Sequence, residues 1–438
     1  MNVSRTDKIF FSTVYFVQGA VALSGLALLH FQKDILGLSA AELATFSALI
    51  TLLAWSFKPI YGLISDIFPI RGQRRRPYLM LTSLLTFFSY LYLGAYSHDY
   101  MTTLVPLVLA NIGLGFTDVL CDGLVVERST KKNVGKLQNI CWSAKFAALF
   151  IASILGGFLN EKLGIVAGVD PMTYLPGIKT MFFMTAVLPL IVFFQVLFLD
   201  EPRIKKESKF THLMKSWGHS TWMWLRRPAV KRSFWGFLGA MVFIFVWRAT
   251  PSGGSPMTYF VINERGFNDL YLGNVAAISH VGALIGSVLY GKWIDKLPIR
   301  KVFFWTILLG TAFGFLDLFI VYEWDPVSVL GFEVHYKTFN VLLSFVGGII
   351  FYVSFLPLLK LAAMICPKKR EATMFAIIAS IMNIGLSMSN QFGGMIWKHN
   401  FLEDYARLDE YVITILLINL IVLPCILLLP KKQEPLKV

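Results

Sequence analysis

Long apolar stretches separated by short polar gaps recur along the whole chain. A hydrocarbon core of about 30 Å needs about 20 apolar residues for each helical crossing, and about twelve stretches approach that length. The predicted spans are 9–31, 43–64, 77–97, 101–126, 136–159, 178–199, 233–262, 270–293, 301–322, 338–365, 372–397 and 411–429. We therefore expect an all-α integral membrane protein with about twelve transmembrane helices.

The composition supports this expectation and excludes a water-soluble domain. Hydrophobic residues make up 56% of the 438 residues, charged residues 15%, and the mean hydropathy is +0.64. The first span follows Arg5 and Lys8 and is longer than the apolar region of a secretory signal, so we expect it to stay as the first helix. No extension resembling a transit peptide precedes it, which favours a bacterial inner membrane.

The net charge of +14 raises the possibility of nucleic-acid binding, but the placement of the charges argues against it. Most lysines and arginines lie in every second loop or at the two termini. This alternation follows the positive-inside rule and predicts that both termini are cytoplasmic. The four cysteines, Cys121, Cys141, Cys366 and Cys425, show no CxxC spacing. We therefore expect no disulfide framework, metal site or cofactor.

Three landmarks occur twice in the same order and indicate an internal repeat. Gly62 and Asp66 after the second span correspond to Gly291 and Asp295 after the eighth. A Lys-Lys pair and a Gly-Gly pair recur in the same way, at 131–132 and 368–369 and at 156–157 and 393–394. Many transporters are duplicated helix bundles with a substrate site between them. We predict a six-helix bundle over residues 1–200, a basic cytoplasmic linker over 201–232 and a second six-helix bundle over 233–438.

The loop that follows the second span has the features of a conformational latch. A small residue, Gly62, permits close helix approach, Asp66 ends the helix, and Arg74 and Arg75 follow across a tight turn. Gly291 and Asp295 occupy the matching places in the second half. We predict that both loops gate the cytoplasmic side by making and breaking ion pairs.

These loops resemble the signature of the major facilitator superfamily, and longer motifs are more specific. The segments KPIYGLISDIFPIRGQRRRPY at 58–78, DVLCDGLVVE at 118–127 and FIFVWRATPSGGSPMTYF at 243–260 resemble the folate-biopterin transporter family within that superfamily. The resemblance extends from the second span to the ninth. It implies the major facilitator fold of two pseudo-symmetric bundles, and uptake of folates or pterins coupled to protons.

Two acidic residues lie four apart on one face of the fourth span. Ionisable groups in hydrocarbon are costly and mark a site, a relay or a pairing. Asp118 and Asp122 can accept the N–H donors of a pterin edge or hold a coupling proton. Alternatively, they neutralise Lys145 or the arginines of the gating loop. Glu127, at the end of this span, is interpreted as part of the latch.

Arg248 lies midway along the seventh span, and Pro251, Gly253, Gly254 and Pro256 follow it. These residues predict a broken helix, which at membrane depth is tolerated only against protein or a wet cavity. Arg248 is therefore a candidate for binding a substrate carboxylate, with a purely structural ion pair as the alternative. Lys145 is a second candidate of the same kind, and the glycines and prolines are candidates for a hinge.

Other polar and aromatic residues in the spans fit packing as well as function. Lys58 and Lys360 are interpreted as side chains that reach the membrane surface. His280 and Asp317 are weaker candidates for a relay. Further candidates to line the path are Asn383, Asn390, Gln391, Phe116, Trp142, Trp247 and Tyr352.

Three other functions were weighed. A major facilitator carrier for a different organic anion fits Arg248 equally well. A membrane-embedded prenyltransferase would use Asp118 and Asp122 to bind magnesium diphosphate, but a second acidic cluster is missing. A channel is disfavoured by the repeat and the broken helix. The expected partners are a small-molecule substrate, protons and the lipid bilayer, with no nucleic acid, and we expect a monomer.

Overall fold

The computed structural model describes residues 4–128, 134–166, 168–203, 228–329, 331–365 and 371–429, which are mostly helical. The helices are α1 Arg5–Ile35, α2 Ala40–Ile67, α3 Arg76–Tyr96, α4 Tyr100–Arg128, α5 Val134–Lys162, α6 Pro171–Leu197, α7a Pro228–Ala249, α7b Gly254–Asn263, α8 Asp269–Ile294, α9 Ile299–Val321, α10 Tyr336–Ile365, α11 Glu371–Asn400 and α12 Tyr405–Leu428. Two short strands, β1 Val327–Val329 and β2 Phe332–Val334, pair antiparallel between α9 and α10.

Within the described ranges, ten helices are long and apolar enough to cross a membrane. The other two predicted crossings are α7, which is interrupted, and α11, which carries Asn383, Asn390 and Gln391. The all-α membrane architecture is confirmed, and a count of twelve crossings stays a prediction. Most of the predicted linker lies outside the described residues, and α7a begins at Pro228, before the predicted start at 233.

The long helices are locally irregular in ways that apolar periodicity does not predict. Single π-helical turns occur at Phe31–Ile35, Thr51–Trp55 and Tyr290–Ile294, and α1 has a 3₁₀ turn at Val21–Ser24. Such π turns often occur at functional sites. The hairpin β1–β2 occupies the segment that the sequence indicated only as a long loop.

The repeated Gly-Gly pair shows the pseudo-symmetry of the two halves. A Cβ on Gly156 would lie 2.7 Å from the Leu23 carbonyl oxygen of α1, in its own half, and one on Gly157 would lie 2.4 Å from the Asp269 carbonyl oxygen, in the other half. Gly393 likewise contacts α7 of its own half, and Gly394 contacts α2 of the other half. Only glycine permits such close backbone approach. In both halves, therefore, the first glycine closes a bundle and the second joins the bundles.

The two faces of the membrane domain differ in how the halves meet. We call the face where α1 begins the terminal face, and the opposite face, where α1 ends, the far face. On the far face the Tyr259 hydroxyl donates to the Leu38 carbonyl at 3.0 Å, and the Ser39 hydroxyl donates to Glu403 at 3.1 Å. Six hydrogen bonds join the halves between mid-helix and the far face. The far face is therefore closed.

Candidate substrate and coupling site

Asp118 lies on the buried side of α4, within the first bundle. One carboxylate oxygen is 2.7 Å from the Lys58 ammonium of α2, and the other accepts a hydrogen bond from the Gln18 amide of α1 at 3.0 Å. The two charged side chains are only 10% and 17% exposed. Burying one of these charges without the other would be costly, so each charge depends on its partner.

Asp122 lies one turn further along the same face of α4. It accepts a hydrogen bond from the Tyr15 hydroxyl at 2.6 Å and from the Gln138 amide at 3.2 Å. Both carboxylates are therefore held by side chains from α1, together with α2 for Asp118 and α5 for Asp122. Sequence reasoning missed Tyr15 and Gln18, although their spacing on an apolar helix puts them on one face.

Neither neutralising partner expected for these aspartates is the one observed. Among the described residues, no carboxylate oxygen lies within 4.0 Å of the Lys145 ammonium, which lies 5.1 Å from the Trp142 ring centre. The gating-loop arginines bind other acids. Asp118 pairs with Lys58, so the interpretation of Lys58 as a lysine that reaches the membrane surface is wrong. Its ammonium turns inward because a buried carboxylate is available to it.

Arg248 occupies the last turn of α7a, in the second bundle. Within the described part of the chain, no oxygen accepts a hydrogen bond from its guanidinium, and its buried Nε has no partner. A Cβ on Gly385 of α11 would lie 2.6 Å from the Arg248 Cβ, so the glycine lets the two backbones come close. The described residues contain no ion pair for Arg248, and the Trp247 ring lies 5.9 Å from its guanidinium carbon.

The helix break that follows Arg248 is present. Helix α7a ends at Ala249 and α7b begins at Gly254, so Pro251 and Gly253 lie in the interruption and Pro256 lies in the first turn of α7b. The Ser252 amide donates to the Ser389 carbonyl at 3.1 Å, and the Tyr411 hydroxyl donates to the Ser252 carbonyl at 3.2 Å. Helices α11 and α12 thus satisfy the backbone groups that the break exposes.

Helix α11 connects the two charged regions. The Asn383 amide donates to the Trp55 carbonyl of α2 at 2.8 Å, and the Lys58 ammonium lies 5.1 Å from the Trp55 ring centre. Gly385, on the same turn of α11, contacts Arg248. Two residues along a helix correspond to a rise of about 3 Å. The Lys58–Asp118 pair and Arg248 therefore lie at similar depths on either side of α11.

The candidate aromatic residues divide into two groups. Trp142 and Tyr352 lie where the halves meet, with the Phe146 ring 4.9 Å from Tyr352 and the Trp142 ring 6.4 Å from Phe355. By contrast, Phe116 stacks on Tyr61 and Trp247 packs on Phe303, each inside its own bundle. Of the four aromatic candidates, Trp142 and Tyr352 thus lie between the halves.

The first gating loop forms a compact charge network. The Arg75 guanidinium is 2.9 Å from both Asp66 and Glu127, and it donates to the Ser65 hydroxyl at 2.6 Å. Arg74 lies at the edge of this network, 3.8 Å from Asp66. A Cβ on Gly62 would lie 3.5 Å from Val119 of α4, in ordinary contact.

The second gating loop is built differently. Asp295 pairs at 3.0 Å with Lys360 of α10, while Arg300 donates to carbonyl oxygens near the end of α12. A Cβ on Gly291 would meet no atom within 4 Å, so close approach is not required there. The repeat thus conserves the position of the acid but changes the cation that binds it.

The weaker relay candidates acquire no partner. His280 packs 6.4 Å from the Phe146 ring, and no partner for Asp317 occurs within the described ranges. A buried cluster around His30 at the far face was not predicted at all. Its only sequence signal was a polar end to an apolar helix.

Comparison with known proteins identifies relatives over the whole chain. The BT1 family model matches residues 18–437. A folate-biopterin transporter of Synechocystis sp. is 31% identical, with 100% of this chain and 84% of that protein covered. Folate transporter 1 of Plasmodium falciparum is 25% identical, with 98% and 80% covered. The crystal structure of a D-xylose-proton symporter superposes with a TM-score of 0.70 at 14% identity, covering 98% of each chain, and supports the fold.

Proposed function

This chain belongs to the BT1 family, and we propose that it carries folates or pterins across a membrane by alternating access. The fold is that of major facilitator transporters, and the relatives from Synechocystis sp. and Plasmodium falciparum are named as folate-biopterin and folate transporters. Because those relatives are transporters, the prenyltransferase alternative is set aside. The membrane location and multi-pass topology follow from the family and from the apolar helices.

One observation carries the choice of substrate class: groups of opposite charge from the two halves lie at similar depths beside α11. The first half offers the Asp118 carboxylate, and the second offers the unpaired Arg248 guanidinium. A folate has an N–H-rich pterin edge at one end and glutamate carboxylates at the other. This substrate therefore matches both groups, whereas a simple anion matches only Arg248.

Binding would require Asp118 to change partners. Its oxygens are occupied by Lys58 and Gln18 when the far face is closed. A pterin edge that donates to Asp118 would release the Lys58 ammonium, which lies beside Trp55 and can turn towards an anion. An arginine fork at Arg248 would hold a terminal carboxylate by two parallel hydrogen bonds.

The proposal includes coupling to protons. Asp118 and Asp122 share one helix face with no second cation bound at Asp122, so a proton is the simplest species that can neutralise Asp122. We also propose that both termini are cytoplasmic, that the protein works as a monomer and that it resides in a bacterial inner membrane. The positive-inside pattern supports the first of these.

The test is uptake of labelled folate, pterin and an unrelated dicarboxylate into transporter-deficient cells, with and without a proton uncoupler. We expect the cells to take up folate and pterin, and the uncoupler to abolish this uptake. If only the dicarboxylate were taken up, the substrate would be another organic anion rather than a folate or pterin. Folate uptake that is insensitive to the uncoupler would remove proton coupling but keep the substrate.

A further inference from the structure

The buried cluster at the far face is centred on His30, near the end of α1. The imidazole is 1% exposed. Its Nδ1 lies 2.8 Å from one oxygen of Asp34, and its Nε2 lies 3.0 Å from one oxygen of Asp269, in the first turn of α8. Asp269 belongs to the second half, as does Tyr259, whose ring centre lies 5.9 Å from the Lys33 ammonium, so the cluster links the two bundles.

Side chains from α1, α5 and α6 complete the cluster. The Lys33 ammonium is 2.8 Å from Asp34, the Tyr174 hydroxyl of α6 donates to Asp34 at 2.9 Å, and the Asn160 amide of α5 donates to Asp269 at 2.7 Å. The charged and titratable groups that face His30 are therefore Asp34, Lys33, Tyr174 and Asp269. No further cation is present among the described neighbours.

The two hydrogen bonds of His30 need one proton more than a neutral imidazole and two carboxylates supply. A hydrogen bond between a ring nitrogen and a carboxylate oxygen needs one proton between the two atoms, and His30 makes two such bonds. A neutral imidazole with two carboxylates supplies only one. Whichever atom carries it, the closed cluster holds one additional proton. With Lys33 included, the cluster is then electrically neutral, which suits its burial.

Close backbone packing ties this proton to closure of the far face. A Cβ on Gly157 of α5 would lie 2.4 Å from the Asp269 carbonyl oxygen, and one on Gly273 of α8 would lie 2.4 Å from the Ser153 carbonyl oxygen. Helices α5 and α8 thus touch backbone to backbone beside the cluster. When the two helices separate, Asp269 must move away from His30. The second hydrogen bond of the imidazole, which required the additional proton, is then lost.

We propose that His30, Asp34 and Asp269 form a proton-binding latch that closes the far face of the transporter. The inference rests on the alternating access of the proposed function, and assigns it a proton site distinct from Asp118 and Asp122. The proton enters from the far side as the latch closes and returns there as it opens. The latch therefore makes closure depend on pH on that side without moving net charge across the membrane.

The difference in bound protons between the closed and open states sets the direction of the pH response. The closed state holds one more proton than the open state, so raising the pH favours opening. For one proton, the ratio of closed to open molecules falls by up to about tenfold for each pH unit. A histidine side chain in water loses its proton near physiological pH, so the open latch is expected to release its proton in that pH range.

One isosteric change removes the proton while preserving the hydrogen bonds. In Asp269→Asn, the new amide can donate to His30 Nε2 and accept from Asn160, so a neutral imidazole with its proton on Nδ1 satisfies the closed cluster. In His30→Lys, a fixed ammonium can donate to both carboxylates and should not titrate near neutrality. Both variants should therefore close the far face without a pH response.

The measurement is the distance between spin labels on the far face, in purified protein in lipid nanodiscs without substrate. Labels at His98→Cys and Phe332→Cys place one probe on an exposed loop of each half, in a background whose native cysteines are replaced by serine. Between pH 5 and 9 we expect the closed fraction of the wild-type latch to fall steeply, and that of Asp269→Asn and His30→Lys to change little.

Equal pH dependence in all three proteins, or none in the wild type, would overturn the latch. Should Asp269→Asn not fold, His30→Lys alone decides the result. Folate uptake provides the separation from the proposed function. A latch that responds to pH in a protein that carries no folate would refute only the substrate, whereas normal folate uptake without a latch response would refute only the latch.

Discussion

The interiors of the two bundles differ in how their charges are satisfied. In the first, Asp118 and Asp122 each have two hydrogen-bonding partners, and Lys58 neutralises Asp118. In the second, Arg248 has no acceptor among the described residues and is followed by a break in its helix. A paired charge stabilises the resting fold, while an unpaired charge beside irregular backbone is available to a ligand. The two bundles of the duplicated fold thus differ in how their buried charges are used.

The comparison predicts its largest effect at Lys58. Lys58→Met should leave the Asp118 carboxylate buried without a cation and cost about 3–5 kcal/mol of stability, because breaking a buried pair strands the remaining charge. Thermal unfolding in detergent measures this. The double variant Lys58→Met with Asp118→Asn removes both charges and should recover most of the loss. A single variant as stable as the wild type would show that Asp118 does not depend on Lys58.

Arg248 should behave in the opposite way. Arg248→Lys should leave stability almost unchanged, because no described carboxylate pairs with the guanidinium and an ammonium can also lie against the Trp247 ring, 5.9 Å away. Loss of the bidentate fork should weaken folate binding by about 2–4 kcal/mol, roughly 30- to 1000-fold. A pterin without the glutamate tail should bind nearly as well as before, whereas Asp118→Asn should weaken both ligands. Equal loss of folate and tail-less pterin in Arg248→Lys would make Arg248 a structural or coupling residue.

The helix break gives a third contrast, since α1 is continuous where α7 is interrupted. Gly253→Ala and Gly254→Ala should slow transport severalfold with smaller effects on folding, because alanine restricts the backbone at the predicted hinge. A Cβ on Gly253 would lie 2.5 Å from the end of the flexible Ile415 side chain and in ordinary contact with the Tyr411 ring at 3.7 Å, so packing can adjust. Gly25→Ala, in open space on α1, is the matched control. Normal uptake rates in both hinge variants would exclude a moving part here.

The smallest effects are expected at the gating loops. Asp66 and Asp295 are 48% and 49% exposed, so each pair should contribute about 0–1 kcal/mol to stability. Asp66→Asn and Asp295→Asn should slow transport with little change in folate affinity. Asp295→Asn should slow it more, because Arg75 keeps Glu127 when Asp66 is lost, whereas Lys360 keeps no described carboxylate. A large loss of affinity at an unchanged maximal rate would contradict a latch role.

The helices, their order and the two-fold repeat could all be predicted from the amino-acid sequence. Apolar runs long enough to cross a bilayer are expected to be helical, because a helix satisfies the hydrogen bonds of its own backbone in lipid. The sequence also determined which polar residues needed an explanation, because charges such as Asp118 and Arg248 stand out against an apolar background. The repeated Gly-Gly pair could also be recognised in the sequence, but its role in joining the halves could not.

The partners of the buried polar groups depend on tertiary packing and could not be predicted. Helical periodicity gives the face and the approximate depth of a side chain, but not which helix lies opposite that face. Lys58 and Asp118 come from different helices of one bundle, and His30 and Asp269 come from different bundles. Each pair forms because backbone packing brings the two groups within hydrogen-bonding distance, as Gly157 and Gly273 do beside His30. Whether a buried charge is neutralised, shared with a proton or left for a substrate therefore depends on contacts that no local pattern contains.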